Sequence, residues 1–350
     1  MKTVKRLLRA LLRWEFLLIA LIAATHLFFS IKIPGSYTIP KLIGQTRVYM
    51  VDVGFMALGV MLVLILGDID ISVASTAALS CTVMAVLYRG GEGAPFAISL
   101  AAGVFTGALC GAVNGLLITR FKELFPMIIT LSTATLYRGI AYIILKDQSA
   151  GGFPDWYKSG LGYGSVNFLG LEVPVMLLCL LAVIPVFYVW LHRTPSGRRI
   201  FATGTNIIAA RYSGLRTDVI KLTVFTLCGV LAAIGGLFLS ARTGSVKYTI
   251  GTGFEMQAIA IAVLGGASTS GGKGSVIGVL LALTLMTSLK NGLMLLYNDA
   301  FILNLAIGVL LILIVLTPNL VNAARQRSNV RRQRANVTPG FDRAQETTHS

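Results

Sequence analysis

The sequence predicts an all-α integral membrane protein built as a bundle of about ten transmembrane helices. Of its 350 residues, 55% are hydrophobic and only 13% are charged. The mean hydropathy is +0.78, which lies outside the range of water-soluble domains of this length. Apolar runs close to the roughly 20 residues needed to cross a bilayer recur along the chain. Basic residues flank these runs, as they do at the ends of membrane spans.

Taken in chain order, the apolar runs predict ten spans. They lie near residues 16–33, 48–66, 71–88, 94–118, 125–145, 173–191, 219–240, 254–267, 275–295 and 300–317. Only residues 67–70 separate the second span from the third, and the eighth span is short, so one of these could be a broken or re-entrant helix. The predicted organisation is a cytoplasmic N-terminus over 1–15, a membrane domain over 16–317 and a basic, mobile cytoplasmic tail over 318–350.

The distribution of basic residues predicts which loops lie in the cytoplasm. With both termini inside, twenty Lys and Arg residues fall in cytoplasmic loops and tails, and eight fall outside. Cytoplasmic segments of membrane proteins carry such an excess of Lys and Arg. We therefore expect a multi-pass protein with both termini in the cytoplasm, a long external loop over 146–172 and a long cytoplasmic loop over 192–218.

Charge and spacing argue against several other classes of protein. The formal net charge of +16 does not indicate nucleic-acid binding, because the basic residues flank apolar runs instead of clustering on a soluble face. The four cysteines and three histidines are scattered without the short spacings of metal sites or disulfide frameworks. We expect no metal, no cofactor and no nucleic-acid partner, and membrane lipid as the surroundings of the chain.

A glycine-rich stretch over 265–275 invites comparison with a phosphate-binding loop but departs from it. Ala267 stands where that motif needs its first Gly, and Gly274 follows Lys273 where a hydroxyl group should ligate magnesium. The chain is therefore not expected to bind and hydrolyse ATP by this route, and no catalytic residue is predicted. Any nucleotide chemistry must come from a partner.

Four glycines recur at every fourth residue of the predicted fourth span. They are Gly103, Gly107, Gly111 and Gly115. This spacing places them on one stripe of a helix, where small residues allow a second helix to approach closely. We expect the stripe to serve helix packing, and it carries no information about a solute.

Polar residues inside or at the edges of spans are candidates for a translocation path. An isolated charge at the bilayer centre costs at least about 2.5 kcal/mol, so each charge should find a partner or face water. Neutral amides offer hydrogen bonds to a hydroxylated solute. The candidates are Asp52, Asp70, Asn114, Arg138, Glu255 and Asn291. An alternative interpretation of Asp70 is that it caps the third helix together with Ser72.

The cytoplasmic stretch from Gly204 to Leu215 contains Gly-x-Asn, then Ala-Ala, then Ser-Gly-Leu. This pattern resembles the coupling segment of permeases in the ribose, xylose, rhamnose and autoinducer-2 importer family. Residues 70–73, 255–266 and 271–276 also resemble stretches of that family, in the expected order. The resemblance covers nearly the whole membrane domain. It departs at Asp68, where the family usually has a second glycine, and at Ala74, where glycine is common.

The resemblance implies an ATP-binding cassette importer permease of cobalamin-importer-like, type II architecture in a bacterial plasma membrane. Its implied partners are a second permease chain, identical or different, a cytoplasmic ATPase and an extracytoplasmic solute-binding protein. The implied solute is a monosaccharide or sugar-like molecule, with the rhamnose or autoinducer-2 branch preferred. Such a permease makes no covalent chemistry and is not an enzyme. The implied ATPase-coupling segment comprises Gly204, Asn206, Ala209, Ala210, Ser213, Gly214 and Leu215.

The residues alone leave two other functions open. An ion-coupled secondary transporter would use intramembrane acids, for which Asp52, Asp68, Asp70 and Glu255 are available. A membrane-embedded transferase would use Asp68 and Asp70 as the acidic pair of a metal-dependent enzyme.

Overall fold

The structure, a computed structural model, describes residues 14–168 and 170–299, together with residues 302, 305, 308, 309 and 312. The chain divides into two compact units, Met1–Ala300 and Phe301–Ser350, and the described positions of the second unit are helical. Residues 1–13 of the predicted N-terminal segment and the predicted tail over 318–350 lie outside the described residues. The predicted span over 300–317 also lies outside them, apart from those five positions.

Helices make up most of the described part of the first unit. They are α1 (Trp14–Lys32), α2 (Ile39–Tyr49), α3 (Val51–Ile65), α4 (Val73–Tyr88), α5 (Phe96–Arg120), α6 (Pro126–Leu145), α7 (Val175–Arg193), α8 (Pro195–Thr205), α9 (Ile207–Tyr212), α10 (Thr217–Thr243), α11 (Phe254–Leu264) and α12 (Val276–Tyr297). A 3-10 turn covers Arg89–Gly91, and a π-helix covers Trp156–Gly162.

Four short strands in the connecting segments were not predicted. Strand β1 (Ala150–Gly151) pairs antiparallel with β4 (Ser245–Val246), with Ala150 opposite Val246. Strand β2 (Ser165–Phe168) pairs antiparallel with β3 (Leu171–Pro174), with Val166 opposite Val173. Because all four lie between helices, the bundle itself remains helical.

Seven of the described helices are long and apolar enough to cross a membrane, and α2 with α3 forms an eighth candidate that bends by 65°. The seven are α1, α4, α5, α6, α7, α10 and α12. Each coincides with a predicted span. The prediction of a polytopic helical membrane protein is therefore confirmed within the described residues.

Two predicted spans have a different form in the structure. The span predicted near 48–66 corresponds to α3, but a separate helix, α2, precedes it, and the chain bends beside Met50 instead of near 67–70. Polar residues of α2, such as Gln45 and Arg47, end the apolar pattern on which the prediction was based. The span predicted near 254–267 is α11, whose 11 residues are fewer than the roughly 20 that cross a bilayer.

Helix α3 lies at the centre of the bundle. Every residue of α3 from Val51 to Ile65 is buried, as expected of a helix that is apolar on nearly all sides. Helix α10 packs along α3, α4 and α5, and α11 packs against α3. The central helix therefore contacts α10 and α11 directly, and the candidate residue Glu255 lies in the first turn of α11.

The glycine stripe of α5 lies against neighbouring helices, mainly α10. A Cβ atom added at Gly107 would lie 2.5 Å from both Ala233 Cβ and Gly229 O, and one added at Gly111 would overlap Phe225 O. In return, a Cβ atom added at Gly229 would overlap Gly107 O. The backbones of α5 and α10 are therefore in direct contact, without intervening side chains.

The connecting segments gather at the two ends of the bundle. End A carries residues 66–72, 121–125, 194–216 and 266–275, and a hydrogen bond from Gly272 N to Ile65 O, 2.8 Å long, joins two of its parts. End B carries residues 89–95, 146–174 and 244–253, and the pairing of β1 with β4 joins two of its parts. These sets match the segments that the sequence groups as cytoplasmic and external, respectively.

Replacing Gly107 or Gly111 by Leu is expected to lower the free energy of unfolding by about 1–3 kcal/mol or more, because the added side chain must separate two backbones in contact. Thermal unfolding of the detergent-purified protein measures the effect. Gly139→Leu on α6 is the matched control, since an added Cβ there has no atom within 4 Å. Unchanged melting temperatures for both Gly107→Leu and Gly111→Leu would contradict the packing role.

Candidate functional site

The connection between α7 and α10 forms two short helices at end A. Helix α8 starts after Thr194, whose Oγ1 accepts a hydrogen bond from Gly197 N at 3.4 Å. Asn206 is extended, with φ −157° and ψ 102°. Its Oδ1 accepts hydrogen bonds from the backbone N–H groups of Ile208 and Ala209, both at 3.0 Å. Asn206 is therefore both the C-cap of α8 and the N-cap of α9.

Helix α9 ends in a glycine cap. Gly214 has a φ of +81°, its N–H donates to Arg211 O at 2.9 Å, and Leu215 N–H donates to Ala210 O at 3.1 Å. These two hydrogen bonds form a Schellman motif. Gly214 thus has the left-handed conformation that glycine commonly adopts just after a helix C-terminus. The spacing from Asn206 to Gly214 thus specifies a helix of six residues with two defined ends.

The coupling segment divides into exposed and internal residues. Ala210 is only 5% exposed, and an atom added at Gly204 would overlap Ile65 O at the end of α3. Both residues therefore pack against this chain itself, and the ATPase-coupling role of the segment stays a prediction. One face of a surface helix must pack on the chain beneath it, and Ala210 lies on that face. The exposed members are Asn206, Ala209, Ser213 and Gly214, and Leu215 is half-buried.

Two large apolar side chains of α9 were missed by the sequence analysis. Ile208 is 64% exposed and Tyr212 is 90% exposed. Residues four apart lie on the same side of a helix, so the two side chains form one apolar surface. The available signal was this i, i+4 pair within an otherwise polar loop. We call the exposed set Ile208, Ala209, Tyr212, Ser213 and Gly214 the docking surface.

Arg211 holds α9 against the start of α10. Its Nε donates to Thr217 Oγ1 at 2.8 Å, and its Nη2 donates to Asp218 Oδ1 at 2.9 Å. Asp218 also pairs with Lys122 at 2.7 Å. Arg211 lies between Ile208 and Tyr212 in the sequence, and its contacts with α10 therefore fix the orientation of the docking surface.

Two of the candidate path residues, Asp70 and Asn114, belong to one buried network. Asp70 Oδ1 accepts hydrogen bonds from Ser72 N at 2.8 Å and from Ser72 Oγ at 2.7 Å. Asn114 Nδ2 donates to Ser72 Oγ at 2.7 Å, and the Tyr137 hydroxyl donates to Asn114 Oδ1 at 3.0 Å. Burial raises the pKa of Asp70, and the hydrogen bonds from Ser72 oppose this change. Asp70 thus organises the start of α4, where Ser72 makes no side-chain cap of its own.

Asp52 lies in the first turn of α3 and pairs with the last turn of α10. Its Oδ2 is 2.9 Å from Arg242 Nη2, and its side chain is 2% exposed. Lys290 of α12 is an electrostatic neighbour of Asp52 and donates a short hydrogen bond to Gln257 Oε1. Asp52 Oδ1 and Arg242 Nε are buried and make no hydrogen bond within the described residues.

Arg138 and Glu255 form a second charged group. Arg138 Nη1 donates to the backbone carbonyl oxygens of Tyr248 and Ile250, at 2.7 and 2.9 Å. Glu255 lies in the first turn of α11, and its Oε2 is buried and makes no hydrogen bond in the described part of the chain. The arginine thus joins α6 to the segment that precedes α11.

Asn291 borders a cavity of about 430 Å³. Other lining residues are Ser36, Gln45, Arg47 and Tyr163. Asn291 is 4% exposed, and its Nδ2 has no hydrogen-bond acceptor among the described residues. The six candidate path residues therefore lie in several separate groups instead of converging on one site.

Asp68 and Asp70 do not form a shared metal site. Asp68 Oδ2 pairs with Lys221 Nζ at 2.7 Å, whereas Asp70 bonds to Ser72. Burial raises the pKa of Asp68, and Lys221 opposes the change. No group of three or more His, Cys, Asp or Glu residues that could hold a metal ion occurs in the described residues.

Comparison with known proteins gives one family. The family described as "Branched-chain amino acid transport system / permease component" matches residues 42–317. The ribose import permease protein RbsC of Bacillus subtilis (strain 168) is 37% identical over 263 residues, which cover 75% of this chain and 80% of the relative. The autoinducer 2 import system permease protein LsrD of Escherichia coli (strain K12) is 33% identical over 310 residues, covering 86% of this chain and 91% of the relative. No solved structure matches the chain at a significant level.

These matches confirm the resemblance to permeases of the ribose and autoinducer-2 type. They decide against the two alternatives, the ion-coupled carrier and the membrane-embedded transferase, because the similar proteins are import permeases. The chain belongs to the family of branched-chain amino acid transport system permease components, and it is a transport subunit and not an enzyme.

Proposed function

We propose that the chain is the membrane-spanning subunit of an ATP-binding cassette importer that carries a monosaccharide or sugar-like solute into a bacterial cytoplasm. The solute class rests on the relatives, which are named for the import of ribose and of autoinducer 2. The rhamnose or autoinducer-2 branch is the finer assignment. It rests on the loop around Trp156 and on residues 190–198.

The docking surface is the observation that carries this proposal. The glycine-rich loop lacks the residues of a phosphate-binding motif, so the energy for import comes from a separate ATPase. Exposed tyrosine and aliphatic side chains on a short helix with fixed ends suit insertion into a cleft of a partner protein. The cytoplasmic ATPase therefore binds at end A, on Ile208, Tyr212 and the small residues beside them.

Tyr212→Ala is expected to weaken co-purification of the ATPase by about tenfold or more. Truncating a tyrosine that is a hot spot of an interface costs about 2 kcal/mol or more of binding free energy. Ile208→Ala should have a smaller effect in the same direction. The two variants should insert normally, because the side chains are 90% and 64% exposed. Pull-down of the ATPase from detergent extracts measures the loss.

Tyr297→Ala is the matched control, because Tyr297 is also an exposed tyrosine, at 53%, but lies where α12 ends, at the opposite end of the bundle from α9. Ala210→Glu should behave differently from all three variants. It should lower the yield of folded protein, since Ala210 is buried. Undiminished ATPase binding by Tyr212→Ala together with Ile208→Ala would refute the docking surface.

The remaining partners and the topology complete the proposal. A second permease chain pairs with this one, and an extracytoplasmic solute-binding protein meets end B, where Trp156 and Tyr163 are each 58% exposed. The finer architecture is the cobalamin-importer-like, type II arrangement with about ten transmembrane helices. Both termini are cytoplasmic, with the membrane domain over 16–317 between a segment over 1–15 and a basic tail over 318–350. The excess of basic residues in the segments of end A supports this orientation.

A cysteine introduced at Ser165 should react with an impermeant thiol reagent added to intact cells, whereas one at Ser213 should not. Both positions are exposed, so accessibility alone does not separate them and orientation decides the outcome. The background should carry Cys179→Ser, because Cys179 is the partly exposed native cysteine and the other three are buried. Labelling at Ser213 from outside would reverse the orientation and remove the ATPase from end A.

The candidate path residues form the route of the solute. Four of the candidates lie toward end B, and Asp70 and Asn114 lie toward end A, so polar groups are available along the depth of the bundle. The four are Asp52, Arg138, Glu255 and Asn291. Asn291 is the candidate best suited to a test, because it borders a cavity and its buried amide nitrogen makes no hydrogen bond among the described residues.

Asn291→Leu should reduce solute uptake by about tenfold, because it removes an amide of the proposed route. It should not lower stability, because removing an unpaired buried donor removes a penalty of about 1–3 kcal/mol. Uptake into vesicles that contain the complete importer, together with the melting temperature, measures both effects. Thr287→Val is the matched control, since Thr287 Oγ1 is also buried and unpaired in the described residues and lies one turn away on α12. That variant should keep its uptake. Equal uptake in both variants would exclude Asn291 from the path.

A further inference from the structure

The coupling segment touches the membrane helices at the end of α3, where the turn over residues 66–72 begins. Ile65 O, at the end of α3, accepts the hydrogen bond from Gly272 N at 2.8 Å. A Cβ atom added at Gly204 would overlap the same carbonyl oxygen, and one added at Gly271 would lie 2.5 Å from Gly204 O. Three backbones, at the ends of α3 and α8 and in the glycine-rich loop, are therefore in direct contact.

A largely buried ion pair joins the same turn to the other side of the coupling segment. Lys221 Nζ of α10 is 2.7 Å from Asp68 Oδ2, and the two side chains are 14% and 8% exposed. Asp68 follows Ile65 by three residues, and Lys221 lies just after the coupling segment, in the second turn of α10. The segment is thus attached to one turn twice, by backbone packing before Asn206 and by the ion pair after Gly214.

The two attachments respond differently to displacement. Atoms in van der Waals contact resist compression strongly, but their attraction is weak and falls off within a fraction of an ångström. A shielded ion pair attracts over a longer distance, because little water or salt screens it. Separating it leaves a buried charge without a partner, which is strongly unfavourable. The glycine contact therefore pushes the turn, and the ion pair pulls it.

A second ion pair on α10 shows that burial distinguishes this contact. Asp218 lies 2.7 Å from Lys122, the same separation, but those side chains are 46% and 53% exposed. Exposed pairs of this kind contribute little, because water and salt screen them. The two ion pairs have the same N–O distance and both involve α10. A different effect of breaking each pair would therefore come from its burial and from the segment that it joins to α10.

We propose that the Asp68–Lys221 ion pair transmits movement of the coupling segment to α3 and α4, with the two residues acting as positioning residues. This inference rests on the proposed docking of an ATPase at end A. An importer that alternates between two openings must move its membrane helices in both directions. When the coupling segment moves away from the turn over 66–72, the ion pair makes the turn follow it. The glycine contact alone would not have this effect.

The test separates docking from transmission. Asp68→Asn and Lys221→Gln are reconstituted in vesicles with the ATPase and the other subunits of the importer. The ratio of solute imported to ATP hydrolysed should fall by about tenfold in each variant, while co-purification of the ATPase stays at the level of the unmodified protein. The charge exchange, Asp68→Lys with Lys221→Asp, should recover most of the ratio. A purely structural role would not change the ratio in protein that is folded and bound to the ATPase.

Lys122→Gln is the matched control and should leave the ratio unchanged. A normal ratio in both single variants overturns the proposal, and so does a loss of ATPase binding in them, because the residues would then serve docking. If a single variant fails to insert, the neutral pair Asp68→Asn with Lys221→Met decides, since it removes both charges from the interior. A normal ratio in that pair overturns the proposal, and a low ratio supports it. Docking itself is judged separately, from Tyr212→Ala.

Discussion

The rest of the bundle depends on the close approach of α5 and α10. In lipid, helices associate through packing and hydrogen bonding instead of water exclusion, so small residues at the contact decide how near two backbones can come. Gly107 and Gly111 on one helix and Gly229 on the other provide that contact. With its middle held in this way, α10 presents Lys221 near one end and Arg242 near the other at fixed positions.

Helices α3 and α10 are tied at both ends by largely buried ion pairs. Asp52 at the start of α3 pairs with Arg242 at 2.9 Å, and Asp68 just beyond its end pairs with Lys221 at 2.7 Å. Buried ion pairs give little net stability, because desolvation offsets their attraction. Their effect is to fix register, since sliding one helix along the other would leave both pairs broken in the interior. Helix α3 thus has a defined position relative to α10 and relative to the coupling segment, which directly precedes α10 in the chain.

Hydropathy was sufficient to predict most spans, and the Asn206 N-cap and the Gly214 C-terminal turn that the structure shows are signals of the same local kind. These signals are local, because burial in lipid and helix capping depend on residues close together in the sequence. The bend beside Met50, the inward face of Ala210 and the exposure of Tyr212 depend on which surface the rest of the chain covers. Partners of buried charges are equally hidden: Asp68 stood out as a departure from the family pattern and as an acid near the spans, but nothing in the sequence indicated its partner, which lies 153 positions away.

Most charges among the candidate path residues are already engaged within the chain. Asp52 has Arg242, Arg138 has two backbone carbonyl oxygens, and Asp70 has Ser72. What the described residues leave for a solute is a set of single atoms, such as Asn291 Nδ2 and Glu255 Oε2, each in a different group. Transport requires binding that is strong enough for entry yet weak enough for release. Dispersed single hydrogen bonds satisfy that requirement better than one convergent site, because a site that held the solute by many bonds at once would also slow its exit.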